Sequence, residues 1–165
     1  MTKRGIQCRL WKPIIPMEEN MSPNKDIEIR IMTKRDIKRC AEIAYLNWPD
    51  KRRVSRHLVH ELKDHINFLV AEIDTEIVGW AGWVWSKISY DVAEFVWCNV
   101  HPDHQKKGVG KKLTLARIKA IKAHDGKLIV LTTCKPDIYR KYDFWTQGVY
   151  NLWTGKKTHM MVKEL

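Results

Sequence analysis

Hydrophobic and polar positions change their period several times along this chain, and each change marks an element. Asp26-Ile27-Glu28-Ile29-Arg30-Ile31 alternates polar with apolar, which predicts a half-buried strand. Ile37, Cys40, Ala41 and Ala44 then recur at helical spacing, with Thr33 as N-cap, Asp36 as an acid in the first turn and Pro49 past the end. Ser55 is placed to cap a second helix whose apolar stripe is Leu58, Val59 and Leu62. Three strand-like runs follow at 68–73, 77–85 and 91–100, the first two joined by the polar connection Asp74-Thr75-Glu76. A helix opens near Gly108, with Val109, Leu113, Ala116 and Ala120 on one face, and Asp125-Gly126 ends it. The apolar run 127–133 is of the buried-strand type, and Pro136 can start a short helix reaching Tyr142. Residues 149–153 and 159–162 predict a closing strand pair around Thr154-Gly155. Residues 1–26, with Pro13, Pro16 and Pro23, show no clear period and read as an irregular extension before one domain at 27–165. The order β-α-α-β-β-β-α-β-α-β-β predicts a mixed α/β fold, one mixed sheet with helices on both faces.

Composition narrows the class. The 165 residues are close to one domain, and 44% hydrophobic content is ordinary for a globular chain. No stretch approaches the roughly 18 apolar residues of a membrane span, and no apolar core follows the basic N-terminus as a signal peptide requires. Cys8, Cys40, Cys98 and Cys134 are scattered without a CxxC, so reduced thiols in a cytoplasmic protein are expected. The formal charge of +11 is unevenly spread: residues 101–135 carry net +7 and residues 67–100 net −4. A basic block beside an acidic one suits a polyphosphate held next to a cationic amine; a generally basic surface is the blander reading.

The segment Val100-His101-Pro102-Asp103-His104-Gln105-Lys106-Lys107-Gly108-Val109-Gly110-Lys111-Lys112 lies between an apolar strand and an amphipathic helix. That context makes an anion site: glycines admit close approach, and unpaired N–H groups of the first helical turn point outward. It is not a Walker A loop, because Gln105 and Lys112 stand where glycine and Ser/Thr are needed. Nor is it a dinucleotide fingerprint, since Leu113 replaces the third glycine.

Val100, Pro102, Gln105, Gly108 and Gly110 fall in register with V-x-P-x-x-[Q/R]-x-x-G-x-G/A, and the segment resembles the acyl-coenzyme A loop of the GNAT superfamily of N-acetyltransferases. The element order from Asp26 to Leu165 is similar to that family's, as are Ile138-Tyr139-Arg140-Lys141-Tyr142-Asp143-Phe144 and His159-Met160-Met161-Val162-Lys163. The resemblance implies a mostly antiparallel sheet splayed at the cofactor site and acetyl-coenzyme A as co-substrate. It places the pyrophosphate on backbone N–H groups of Gln105, Lys106, Lys107, Gly108, Val109, Gly110 and Lys111. The pantetheine arm would run along the backbone of Cys98, Asn99 and Val100. Tyr139 stands where the family's tyrosine protonates the departing thiolate. Ala93-Glu94-Phe95-Val96-Trp97-Cys98 is similar to a strand of the histone-acetyltransferase branch, which implies Glu94 as general base. Asp143 departs from the usual glycine, and no asparagine stands near Cys134-Lys135-Pro136.

The implied reaction needs such groups. An alkyl ammonium with a pKa near 10.4 is neutral in only about one molecule in 2,500 at pH 7, so a base must take a proton as nitrogen attacks. Phe95, Val96 and Trp97 would give Glu94 apolar surroundings that raise its pKa; the alternative is a strand residue on a wetter face or in a salt bridge. Tyr139 has the alternative of a core tyrosine with its hydroxyl at the rim. His57, His60, Glu61 and His65 share a predicted helix, but His60 and His65 are about 140° apart around it, so no metal is expected. Trp48, Trp80, Trp83, Trp85 and Trp97 serve either the core or an aromatic acceptor wall, and Lys51-Arg52-Arg53 with Arg56 either meets an anionic acceptor or is solvated. The expected function is transfer of acetyl to a primary amine of a protein, polyamine or small molecule. Its rivals are a non-catalytic acyl-coenzyme A-binding module and a basic nucleic-acid-binding protein; the cofactor loop and both candidate catalytic residues disfavour the first. No basic helix interleaved with base-reading or stacking residues supports the second. Monomer and homodimer both remain open, and no membrane partner is expected.

Overall fold

A computed structural model describes residues 26–48, 67–151 and 155–165. Strands β1 (Glu28–Ile31), β2 (Asn67–Ile73), β3 (Glu76–Trp85), β4 (Val92–Val100), β5 (Leu128–Thr133), β6 (Trp145–Asn151) and β7 (Lys157–Glu164) form one sheet of order β1-β2-β3-β4-β5-β7-β6. Every neighbouring pair is antiparallel except β4 and β5. Helix α1 (Ile37–Asn47) packs on one face, α2 (Val109–Ala123) on the other, and α3 (Asp137–Arg140) is a single turn. The predicted second helix, the histidines with Glu61, the Lys51-Arg52-Arg53 run and the extension at 1–25 lie outside the described residues.

The alternation read from the sequence sorts side chains to two cores. Leu69, Ala71, Val78, Ala81, Trp83, Ala93, Ile129 and Leu131 meet Val109, Leu113 and Ile121 of α2. Phe68, Val70, Ile77 and Trp80 meet Cys40, Ala41, Ile43 and Ala44 of α1. At about 25 cal/mol for each Å² of apolar surface removed from water, these two interfaces are the main stabilising contribution. The start of α1 is held as expected: the Thr33 N–H and hydroxyl both donate to Asp36 Oδ2, at 2.7 and 2.9 Å. Arg30 donates to the same carboxylate at 2.7 Å and also to Glu72, which ties β1 to β2 and to the helix start. The closing strand β6 starts at Trp145, earlier than the pattern around Val149 suggests. Its register with β7 shifts between Thr146 and Gly148, and that irregularity hides the period of two.

Two irregularities prepare the site. Beyond Ala81 and Gly82, β4 carries an extra residue against β3, and Trp97 takes φ 46° at that bulge. β4 and β5 are paired only from Val92 with Leu128 to Glu94 with Val130. Above that point β4 stays with β3 to Val100 while β5 stays with β7 to Thr133, so the two strands part into a fork.

Candidate active site

The sheet delivers β4 to the loop at His101, whose N–H donates to Val78 O at 2.8 Å. His101 Nδ1 accepts from the Asp103 N–H at 3.3 Å, and Pro102 starts a one-turn 3-10 helix through His104. The turn 105–108 then reverses the chain, with Lys106 at φ 60° and Gly108 at φ 91°. Gly108 is the residue before α2, and its left-handed backbone explains why glycine stands there. Gly79 has a different reason: a Cβ on it would lie 2.9 Å from Val109 Cγ1 and 3.0 Å from Asn99 O, so glycine lets the start of α2 sit directly on β3.

The first N–H of α2 to reach an acceptor within the turn is Lys112, which donates to Gly108 O at 3.0 Å. Among the described residues no acceptor is found for the N–H groups of Lys106, Lys107, Gly108, Val109, Gly110 or Lys111. A Cβ built on Gly108 would meet only Ile27 Cδ1, at 4.0 Å, and one on Gly110 only Val100 Cγ2, at 3.9 Å. The turn is therefore open and lined by main-chain donors, with exposed Lys106, Lys107 and Lys111 beside it. Lys112 is directed elsewhere: its Nζ donates to Ile27 O at 3.0 Å.

Gln105 departs from the expected role. Its N–H donates to Pro102 O at 3.2 Å, so the row of free amides starts at Lys106. Its side chain donates to Asn47 Oδ1 at 3.1 Å and to Val100 O at 3.2 Å, while Asn47 Nδ2 donates to Val100 O at 3.1 Å. Gln105 and Asn47 thus clamp the end of α1, the end of β4 and the loop. Asn47 carries no mark in the sequence, because a polar residue that ends a helix looks like any solvated one.

The β4 edge needs a second correction. In an antiparallel ladder hydrogen-bonded and non-hydrogen-bonded pairs alternate, and His101 bonds to Val78. Asn99, two residues earlier and opposite Trp80, therefore turns its own N–H and C=O to β3. Of Cys98, Asn99 and Val100, the first and third present main-chain groups to the fork, and Val100 O is already taken by the clamp. The buried Asn99 side chain accepts from Trp48 Nε1 at 3.0 Å, leaving its Nδ2 without a partner among the described residues.

Glu94 and Tyr139 approach the fork from opposite faces. Ala93 and Phe95 belong to the α2 core and Val96 to the α1 core, so alternation puts the exposed Glu94 on the α1 side, at the last paired position of β4 and β5. Phe95 accordingly points away from its carboxylate and does not supply the apolar surroundings expected of it. Tyr139 lies on α3 at the α2 face, half-buried, with its ring 5.8 Å from that of Phe144. Burial raises the pKa of its hydroxyl, and Cys98 and Tyr142 push the same way, whereas the Arg117 guanidinium draws it back. Asp143 takes φ 63°, a left-handed conformation aspartate tolerates better than most side chains, so the turn after α3 survives the missing glycine.

Arg117 joins the site without having been expected there. The buried stripe of α2 is Val109, Leu113, Thr114, Arg117 and Ile121, rotated from the expected line through Ala116 and Ala120, which are only partly buried. The sequence does carry the signal: steps of four from Val109 through Leu113 to Ile121 put an arginine on the core face. Of the tryptophans, Trp80 and Trp83 are core residues, whereas Trp48 is 54% exposed with its ring 6.3 Å from that of Trp97.

The profile of the family described as "Acetyltransferase (GNAT) domain" matches residues 64–146, half of the chain. This chain belongs to the GNAT acetyltransferase family. It is an acetyltransferase, as the loop implied. Solved GNAT-family structures agree in fold. A putative acetyltransferase of the GNAT family from Desulfovibrio desulfuricans is 15% identical, with 84% of this chain and 99% of that chain covered at a TM-score of 0.75. An aminoglycoside 6'-N-acetyltransferase complexed with coenzyme A is 16% identical, covering 83% and 96% at 0.73. The putative acetyltransferase YncA from Salmonella typhimurium with its cofactor acetyl-CoA is 20% identical, covering 85% and 94% at 0.69. No curated protein matches the sequence significantly. The mixed, mostly antiparallel sheet with helices on both faces is thus the GNAT fold. Among the described residues no helix is long and apolar enough to cross a membrane, and no group of His, Cys, Asp and Glu could hold a metal.

Proposed function

We propose that this GNAT protein transfers acetyl from acetyl-coenzyme A directly to a primary amine. The observation that carries the reading is the open turn at 106–111, where unpaired main-chain N–H groups, a left-handed Gly108 and exposed lysines converge beside the β4–β5 fork. Its chemistry fits a diphosphate: hydrogen-bond donors fixed by a helix start, positive charge around them, and no side chain in the way. Lys106 to Lys111 hold the diphosphate, and the N–H groups of Cys98 and Val100 receive the arm that follows. The thioester then lies in the fork, with Tyr139 on one side and Glu94 on the other.

Glu94 takes a proton from the amine, directly or through water, as its nitrogen attacks the thioester carbonyl. The C–N bond forms, the C–S bond breaks, and the electron pair leaves on sulfur, which takes the Tyr139 proton. Glu94 and Tyr139 then exchange protons with solvent. Burial raises the pKa of the half-buried Tyr139 hydroxyl, so it stays protonated at neutral pH and is available to donate to the departing sulfur.

The test pairs binding with turnover. Acetyl-coenzyme A should raise the melting temperature, duplex and single-stranded nucleic acid should not, and an amine panel should release free thiol. Stabilisation by cofactor without thiol release for any amine would leave a binding module. Glu94→Gln should lower kcat by roughly tenfold or more; an unchanged kcat would remove Glu94 from the reaction.

A further inference from the structure

Arg117 is 1% exposed, yet it has no acidic partner among the described residues: the ion pairs there involve other residues. Its Nη1 donates to Gly82 O at 3.1 Å and to Trp97 O at 3.3 Å, its Nη2 approaches Thr114 Oγ1 at 3.5 Å, and its Nε has no acceptor. Its Cζ lies 3.8 Å over the Phe95 ring. A fully buried cation held by neutral carbonyls and a ring is costly, and a preorganised charge in a dry site acts strongly on any negative charge that develops nearby.

That place is identifiable. The rings of Phe95 and Tyr139 both pack against Phe144, at 5.7 and 5.8 Å, so one aromatic layer beneath the fork links the guanidinium over Phe95 to the Tyr139 ring. Cys98, Arg117 and Tyr142 are the titratable or charged groups that act on the hydroxyl, and Arg117 is the cation among them. The bulge matters too. Trp97 O is turned toward α2 by the irregular backbone, and the same guanidinium that holds it draws the pKa of the phenol back down.

We propose that Arg117 is a positioning residue for acetyl transfer, its buried charge orienting the Tyr139 hydroxyl and stabilising the phenolate left when the proton passes to the departing thiolate. This rests on the role given to Tyr139 above. The electron pair of the C–S bond leaves on sulfur, sulfur takes the proton, and the negative charge then sits on Tyr139 Oη until solvent returns one. A brace for the bulge would need only donors at Gly82 O and Trp97 O; stabilising a phenolate needs charge.

Arg117→Gln separates the two, because the amide keeps donors and loses the charge. It should lower kcat about tenfold or more while the KM for acetyl-coenzyme A stays within about twofold. The Tyr139 ionisation, read as the phenolate absorbance step that Tyr139→Phe removes, should move to higher pH. In the Tyr139→Phe background the same change should cost less than about twofold, because there is no phenolate left to stabilise. Arg117→Lys should restore part of the loss and part of the ionisation shift; if Arg117→Gln does not fold, Arg117→Lys with and without the Tyr139 hydroxyl gives the same cycle. An equal loss of kcat with and without that hydroxyl, or an ionisation step that no Arg117 variant moves, overturns the proposal and leaves the Tyr139 reading standing. A Tyr139→Phe enzyme as fast as the wild type overturns both.

Discussion

At the upper end of β4 the chain offers main-chain amides; at its middle, where β4 leaves β5, it offers side chains. The loop at 106–111 presents the same groups whatever most of its side chains are, provided Gly108 allows φ 91° and Gln105 with Asn47 holds the loop to β4 and α1. The fork depends on particular side chains at particular heights: Glu94 on the α1 face, Tyr139 and Arg117 on the other. Substitutions in the loop should therefore act on affinity, and substitutions in the fork on rate.

Tyr139→Phe gives the sharpest break. If Tyr139 donates the proton as proposed, its loss should lower kcat by roughly 10²-fold, while acetyl-coenzyme A affinity, followed by calorimetry, stays near the wild-type value. Equal losses in both would erase the division between the two regions. Gly108→Val is the converse. A β-branched residue at φ 91° is strained by about 1–3 kcal/mol, and relief of that strain rotates the amides away, so affinity should fall roughly ten- to a hundredfold. Turnover at saturating cofactor should fall far less.

A control belongs outside both regions. The Arg30 guanidinium and the Thr33 donors hold the Asp36 carboxyl at about 2, below its ordinary 3.8. Folding therefore gains on the order of 2 kcal/mol from this group above about pH 4, and loses it as pH falls through about 2. Chemical denaturation of wild type and Asp36→Asn should show a gap of that order near neutrality which closes in acid. A gap that does not depend on pH would mean that Asp36 acts by packing. At neutral pH this variant should alter affinity and rate together or neither, which calibrates the selective effects of the other two.

The same division governs how much of the molecule is legible in its amino-acid sequence. The loop is legible because its geometry favours residue types: glycine at 108 where φ is 91°, proline after the strand, glutamine to clamp. Gln105 is recognisable by its position but not by its task, since spacing does not reveal whether an amide donates outward or to Pro102 O. Among the described residues element order is legible from periodicity, and there β6 alone begins several residues away because its register shift breaks the alternation. The fork is half legible. Glu94 and Tyr139 are marked by local sequence, but the face each occupies follows from strand parity across a bulge at Trp97, which no pattern announces. Arg117 is hidden by its type, because an arginine in an amphipathic helix is normally assigned to water.

Gly110→Ala should have the smallest effect, and it tests the loop most finely. Gly110 lies in the first turn of α2 without a positive φ, and a Cβ there would meet only Val100 Cγ2 at an ordinary 3.9 Å. Alanine is the better helix former by up to about 1 kcal/mol, so the free protein should become more stable by about 0.5–1 kcal/mol in denaturant titration. If a diphosphate lies against this turn, the added methyl group should cost affinity for acetyl-coenzyme A even as the fold gains stability. Opposite signs from one methyl group are hard to obtain unless the ligand touches that backbone. A variant that is both more stable and an equal or better binder would place the diphosphate away from the start of α2, and the main-chain half of the comparison would have to be redrawn around the lysines alone.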